Sequence, residues 1–208
     1  RYSALFARAA SKGSHVLHNE LQAYFNEEEK NAMLTEEFQH NTKKFSDPSQ
    51  LLQPFYQDAT AKNVIDRALD ADVHTYLPDD LLVKVDIATM AHGLESRSPF
   101  LDHELMELTA KMPVSFKANG RQGKILLKKI LEPMLPHELL YRKKQGFSIP
   151  IDEWFRTSLH DKASGILLKK GNFITSIIKS QALEQLLSEQ KKGMKHGNRL
   201  WAALMLEI

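Results

Sequence analysis

Apolar residues in this chain recur at intervals of three and four, and no segment shows convincing alternation at the period of two that marks a half-buried strand. A chain patterned in this way buries its apolar surface by packing helix on helix, or by laying helices on a sheet supplied from elsewhere. The expected class is mainly α, either all-α or the helical part of an α/β domain. In the stretch 3–38, Leu5, Ala9, Val16, Leu17, Leu21, Phe25, Met33 and Leu34 predict two helices broken near Asn26. Asp47-Pro48 reads as a helix start, Asp as cap and Pro in the first turn. Val64, Ile65, Ala68, Leu69, Val73 and Leu77 predict one helix ending before Pro78. Pro78 then opens another, with Asp79 and Asp80 in its first turn, where the helix dipole favours carboxylates, and Gly93 as its stop just past His92. Its stripe of Leu81, Leu82, Val85, Ala88 and Ala91 is expected to bury one face. An extended link, 96–101, leads to Asp102 as the cap of a helix to about Lys111, which Pro113 ends. The turn Asn119-Gly120 and Gly123 precede a short helix over 124–131, and further helices are predicted over 151–170, 176–189 and 195–207. In the last, Leu200, Trp201, Leu204 and Met205 are expected to face the core, with Trp201 packing the helix start.

The 208 residues suffice for one good-sized domain or two small ones, and the even helical pattern, without repeats or low-complexity tracts, predicts a single helical domain over 1–208. With 42% hydrophobic and 26% charged residues, collagen-like, disordered and tail-like classes are excluded. Lys and Arg number 28 against 26 Asp and Glu, so bulk charge selects neither a nucleic-acid partner nor a membrane surface. The absence of cysteine excludes a disulfide framework, a thiol nucleophile, an iron–sulfur cluster and any cysteine-ligated zinc. No membrane-spanning run or signal-peptide pattern stands in the sequence, and a cytoplasmic setting is expected. The chain opens with Arg1-Tyr2 rather than Met and is expected to be a piece of something longer.

Three blocks concentrate charge beside Gly, Pro and aromatic residues. The first runs from Tyr76 to Asp102 and holds Asp79, Asp80, Lys84, Asp86, Glu95 and Arg97. Asp80 and Lys84 are four apart and share a helix face, and Asp79 and Asp86, seven apart, share another. Glu95, Arg97 and Asp102 follow the glycine stop in a link short enough to aim them at one place. The spacing equally suits caps, exposed ion pairs and a polar turn. The second block is Tyr141-Arg-Lys-Lys-Gln-Gly-Phe-Ser-Ile-Pro150, where a compact ammonium beside a glycine bend suits phosphate oxygens, or simply solvent. The third is Gly193-Met-Lys-His-Gly-Asn-Arg-Leu-Trp201 at the start of the last helix. His92, His103 and His196 lack metalloprotease spacing and are expected to be structural, and there is no Gly-x-Ser-x-Gly, Walker or Gly-x-Gly-x-x-Gly motif.

In this order the blocks resemble the synthetase domain of the glutamine-dependent asparagine synthetases. The residues that carry the resemblance are Leu81-Leu-Val-Lys-Val-Asp86 and Met90-Ala-His-Gly-Leu-Glu-Ser-Arg-Ser-Pro-Phe-Leu-Asp102, then Gly123-Lys124 leading into Leu126-Leu-Lys128 and Leu135-Pro136. Arg142-Lys-Lys-Gln-Gly-Phe-Ser-Ile-Pro150 and Arg199-Leu-Trp201 complete it. The resemblance implies the helical C-terminal part of an α/β, adenine-nucleotide α-hydrolase-like synthetase domain. The family's parallel sheet, its Ser-Gly-Gly-x-Asp-Ser ATP loop, its Gly-Gly-Tyr loop and its N-terminal glutaminase domain have no counterpart among these residues. It also implies a reaction in which a carboxylate of aspartate attacks the α-phosphate of Mg²⁺-bound ATP, and ammonia from glutamine displaces AMP from the acyl-adenylate. Lys144 is then the catalytic lysine, chosen over Lys143 because it stands two before Gly146, and Asp80 is the carboxylate of a proton-handling pair. Lys84, Asp86, Glu95, Arg97 and Gly146 are assigned to substrate binding or site support.

The implied partners are aspartate and ATP, the upstream ATP-loop half and the glutaminase domain, with a homodimer possible and neither membrane nor nucleic acid expected. Relatives of similar sequence amidate sugars, peptides or β-amino acids, so the acceptor stays open. Glu95 and Lys144 are expected to converge on one ATP-facing cleft, while the isolated chain is expected to be inactive. The alternative from another class is a helical adaptor or nucleic-acid-binding module using the basic turn 142–144.

Overall fold

A computed structural model of the chain describes residues 13–45, 47–119, 122–143 and 149–208. Among them the order is α1 (Ser14–Gln22), α2 (Glu27–Met33), α3 (Glu36–Thr42), α4 (Ser49–Gln57) and α5 (Val64–His74). A π-helical turn, Leu77–Leu82, leads into α6 (Val83–Met90), and a 3₁₀ turn, Pro99–Leu101, into α7 (His103–Lys111). Next come α8 (Val114–Lys117), the strands β1 (Ala118–Asn119) and β2 (Gln122–Gly123), α9 (Ile125–Leu131) and α10 (His137–Leu140). The chain ends with α11 (Ile151–Arg156), α12 (His160–Leu167), α13 (Ile174–Ile177), α14 (Ser180–Lys191) and α15 (Gly197–Glu207). The mainly α class follows, and the described strands are one antiparallel pair, Ala118 opposite Gly123 and Asn119 opposite Gln122; residues 120 and 121, where the turn is expected, lie outside the described residues. The chain forms two compact units, one of Arg1–Asn19 and Pro48–Lys144, the other of Glu20–Asp47 and Gln145–Ile208.

The first unit has a small core of Leu52 and Tyr56 from α4 and Ala71 from α5, with Phe55 and Ala68 against it. His18 of α1 stands between the Tyr56 hydroxyl and Asp72 Oδ1, 3.0 Å from each. Burial, and then the Asp72 carboxylate, push the Tyr56 hydroxyl above its ordinary pKa. Arg67 donates to the carbonyls of Ala61 and Tyr56, and Lys117 Nζ meets Asp66 Oδ1 at 2.8 Å, fastening α8 to α5. Asn63 caps α5 by accepting from Ile65 N–H at 2.8 Å. Helix α4 begins at Ser49 with Pro48 at its cap, one residue later than the Asp47 start predicted.

The second unit holds the larger core, in which Phe155, Leu167, Ile174, Leu183 and Leu200 are fully buried with Ala163, Leu187 and Ala203 around them. Each such large side chain contributes about 1.5–3 kcal/mol relative to exposure. Asn26 breaks the opening helical stretch as predicted, and it does so with a reciprocal cap: Glu29 N–H donates to Asn26 Oδ1, and Asn26 N–H to Glu29 Oε2. Three predicted stretches need correction. The second helix expected within 3–38 divides again, because Leu34 is extended (φ −71°, ψ 146°) and Thr35 caps the separate α3 by accepting from Phe38 N–H at 3.3 Å. The stretch 151–170 divides at Thr157 (φ −121°, ψ −97°), so that Phe155 and Leu167 reach the same core from two directions. The helix expected from 176 starts at Ser180, because Ile178 is extended and pairs antiparallel with Leu34. Thr35 N–H to Ile177 O and Lys179 N–H to Met33 O, both 2.9 Å, flank that pairing.

Candidate functional site

The first charged block lies in the first unit on the π-helical turn, α6 and the link to α7. Pro78 stands in the first turn and has no N–H to give, and Asp79 N–H donates to Thr75 O at 3.0 Å. Asp79 and Asp80 lie in that first turn, as the sequence predicts. The i to i+5 pattern of the turn changes the register, so a four-residue spacing across its end is no longer one helical turn. Asp80 and Lys84 accordingly form no ion pair among the described residues, and both are exposed, as is Asp86. At the other end Gly93, at φ +67°, donates to Met90 O while Leu94 N–H donates to Thr89 O, closing the helix as the glycine predicts.

Beyond that stop Arg97 Nη2 and Glu95 Oε1 pair at 2.7 Å with both side chains mostly in solvent, an interaction worth about 0.2–1 kcal/mol. Asp102 caps α7 by accepting from Leu105 N–H at 3.0 Å, as expected. The expectation that α6 buries its stripe fails: Leu82, Val85 and Ala88 are all exposed, as is Ala91 beyond its end. Ile87 is 66% exposed and Phe100 65%, and Val83, Met90, Leu94 and Leu108 are open as well. The unit's own core is made by α4 and α5, which leaves this apolar surface uncovered around the charged residues.

The second block begins where α10 ends. Tyr141 follows α10, its N–H on His137 O at 3.0 Å, and its hydroxyl donates to Glu132 Oε1 at 2.6 Å. The ring stacks on the His137 imidazole at a centroid distance of 4.4 Å, and Lys128 Nζ of α9 stands 5.1 Å from the ring centre. That hydrogen bond to Glu132 pushes the hydroxyl above its ordinary pKa, burial adds to the shift, and the Gln122 side chain acts in the opposite sense. Sequence reasoning did not single out Tyr141; its position directly before a basic run is the signal that marks it. Arg142 and Lys143 are exposed. Lys144 and Gly146 lie outside the described residues, and the expected convergence of Lys144 with Glu95 lies there with them. Lys124, at φ +57°, is the non-glycine residue in left-handed conformation among those described, at the turn from β2 into α9.

The third block organises the second unit. Gly193 at φ +95° closes α14. Gln190, buried, accepts from His196 N–H and donates to Asp152 O, each at 2.6 Å, while Gly197 N–H donates to Asp152 Oδ1 at 2.8 Å. A Cβ at Gly197 would lie 2.6 Å from that same oxygen, so the close approach requires glycine. The start of α15 is therefore held by Asp152 and Gln190 rather than by Trp201, which is 37% exposed. Met205 is exposed too, whereas Leu200 and Leu204 face the core as predicted. Arg199 donates to Tyr24 O and to Glu29 Oε1 and lies over the Phe25 ring, binding α15 to the start of α2. His196 pairs through Nε2 with Glu189 Oε2 at 2.7 Å, a structural contact as expected. Gln185 above all, and His196 after it, hold the Glu189 carboxyl below the usual carboxylate range against the opposing effect of burial.

Among the described residues no three His, Cys, Asp or Glu side chains gather into a metal site, and no helix is long and apolar enough to cross a membrane.

The asparagine synthase family model matches residues 2–208. A chain from Mycobacterium tuberculosis (strain ATCC 25618 / H37Rv) is 32% identical over 158 residues, which cover 74% of this chain and 24% of its own. Asparagine synthetase (glutamine-hydrolysing) 1 of Bacillus subtilis (strain 168) is 29% identical over 154 residues, again 74% of this chain and 24% of its own. The asparagine synthetase (glutamine-hydrolysing) of Bos taurus is 37% identical over 83 residues, 36% of this chain and 15% of its own. The chain thus spans about a quarter of the length of the first of these relatives. No solved structure matches it.

Proposed function

The chain belongs to the asparagine synthase family, and on that premise we propose that it is the C-terminal helical part of a longer, glutamine-dependent asparagine synthetase. The 208 residues act as one part of that enzyme's synthetase domain, an ATP-pyrophosphatase-type domain whose sheet and ATP loop come from upstream sequence. The observation that supports this most is the motif surface of the first unit, where the charged residues of 79–97 sit exposed among uncovered apolar side chains. Such a surface suits a site completed by another part of the same protein.

In the proposed reaction an oxygen of the aspartate side-chain carboxylate bonds to the α-phosphorus of ATP, and the bond from that phosphorus to the departing pyrophosphate breaks. Ammonia, released from glutamine in the N-terminal domain, then bonds to the acyl carbon, and AMP leaves with the electron pair of the broken C–O bond. Lys144 supplies positive charge where it accumulates on the α-phosphate and the leaving pyrophosphate, with Gly146 letting the backbone approach. Asp80 takes the proton that the attacking nitrogen must lose, paired with a tyrosine from the upstream loop. Lys84 and Arg97 add positive field and Asp86 and Glu95 orient substrate or support the site. A Mg²⁺ ion entering with ATP would be held mainly by substrate phosphates and upstream residues. The ion's contribution is to offset phosphate charge.

Kinetics of the complete enzyme test this. Lys144→Ala should lower synthetase kcat about 10²–10³-fold, or roughly 2.7–4 kcal/mol, with much less effect on KM for ATP, because the interaction strengthens in the transition state. Lys144→Arg should restore little, since a planar guanidinium does not fill the place of a compact ammonium. Near-normal synthesis by Lys144→Ala would overturn the assignment, and a collapse in Lys143→Ala instead would shift it by one residue.

A further inference from the structure

The helical path from α5 into α6 is interrupted at one proline. Pro78 has no N–H to donate and its ring crowds the carbonyl four residues back, so α5 ends at His74 and Thr75 leaves the helical conformation at φ −128°, ψ −77°. The start of the next segment is tied to the core of the first unit. The Thr75 hydroxyl donates to the carbonyl of the fully buried Ala71 at 2.7 Å, and Thr75 O accepts from Asp79 N–H at 3.0 Å. From Leu77 to Leu82 the chain takes the wider i to i+5 turn, and α6 resumes the ordinary pitch at Val83. Leu77, Pro78 and Leu81 are half-buried in that turn, while Asp79 and Asp80 are exposed. In an unbroken α-helix residues four apart have Cβ atoms about 5–6 Å from each other, so Asp80 and Lys84 would be neighbours of opposite charge. With the wider turn across their spacing, no ion pair joins them among the described residues. A carboxylate that must accept a proton does so less readily beside a paired ammonium, which favours its charged form.

We propose that Pro78 is a positioning residue for the synthetase step: the π-helical turn it opens keeps the Asp80 carboxylate out of an ion pair with Lys84, and so ready to take the proton of the attacking nitrogen. This rests on the role given to Asp80 above. The turn lets both charges stand on successive helical turns of one motif without neutralising each other, which a regular helix does not. An opposite charge within about 4–6 Å lowers the proton affinity of an aspartate by about 10–10³-fold, and a proton-transfer rate follows part of that change. The Pro78 side chain has no proton to give or take, so its whole effect on catalysis runs through Asp80.

The test is a pair of double-mutant cycles in the complete enzyme, read as asparagine formed from aspartate, ATP and ammonia, with kcat and KM for ATP and aspartate measured separately. Pro78→Ala returns the missing N–H and lets the turn close at the ordinary pitch, and should lower kcat about 3–30-fold with each KM changed less than about twofold. In an Asp80→Asn background Pro78→Ala should lower kcat no further, because the carboxylate it disturbs is gone. In a Lys84→Gln background, which has a loss of its own, the additional effect of Pro78→Ala should shrink to less than about twofold, because no ammonium is left to pair. A purely structural role would multiply in both backgrounds, and that result would overturn the proposal. So would a kcat for Pro78→Ala within about twofold of wild type. Should Pro78→Ala melt below the assay temperature, Pro78→Gln, which also returns the N–H, takes its place in both cycles. If Asp80→Asn by itself leaves kcat intact, the Asp80 assignment fails and this proposal falls with it. If Asp80→Asn is impaired and the Pro78 variants are not, only this proposal fails.

Discussion

Leu200 and Trp201 are adjacent on α15 and differ completely in what they touch: Leu200 is fully buried in the core of the second unit, and Trp201 is 37% exposed. Helical spacing alone offered both as core residues, because neighbours on a helix point about 100° apart and either can border an apolar face. The structure ranks them. Leu200→Ala should destabilise the chain by about 2–5 kcal/mol in urea denaturation, as for any fully buried leucine. Trp201→Ala should cost less than Leu200→Ala although it removes a larger side chain. The reverse order would mean that the indole, not the leucine, fills the core. At the same scale the charged residues of the first block were legible by identity, and their exposure was not. Burial depends on which other element arrives at that surface, and no local pattern records it.

Among the elements, the junction of α14 and α15 shows how a sequence block that looked chemical is used for construction. Gly193 ends one helix, Gly197 lets the next start against Asp152, and Gln190 ties both to α11. Glu189, on the last turn of α14, receives the Gln185 amide and faces His196, and its carboxyl is held below the usual range. For a carboxylate depressed by folding, the stabilisation is present above the unfolded value, about 4.3, and is lost as pH falls through the lower folded value. Glu189→Gln should therefore be less stable than wild type near neutral pH, with the difference shrinking in acid as Glu189 protonates. Urea midpoints measured from pH 7 down to pH 3 check this, and a gap that widened in acid would contradict it. The glycine stops at Gly93 and Gly193 and the caps at Asn26 and Asp102 were readable beforehand because each depends on one residue and its nearest turn. The break at Thr157 was not, since it serves Phe155 and Leu167, whose meeting is a matter of tertiary packing.

For the whole molecule, the uncovered surface of α6 and the link after it predicts behaviour in solution. The isolated chain should bind the dye ANS and self-associate, and Ile87→Lys with Phe100→Lys should reduce both while leaving helical circular dichroism and stability nearly unchanged, within about 0.5 kcal/mol per exposed site. The same chain should release no pyrophosphate from ATP, Mg²⁺ and aspartate at ordinary enzyme rates. Turnover by it would remove the need for an upstream ATP loop. The helical class, most of the caps and stops, and the family were legible along the chain, because periodicity, capping chemistry and ordered motifs are carried by residues close together in it. That the core of the second unit recruits 20–47, that the stripe around α6 stays open, and that Tyr141 reaches back to the end of α9 came from packing. Those outcomes depend on contacts between residues far apart in sequence, and their energies are set by which surfaces meet.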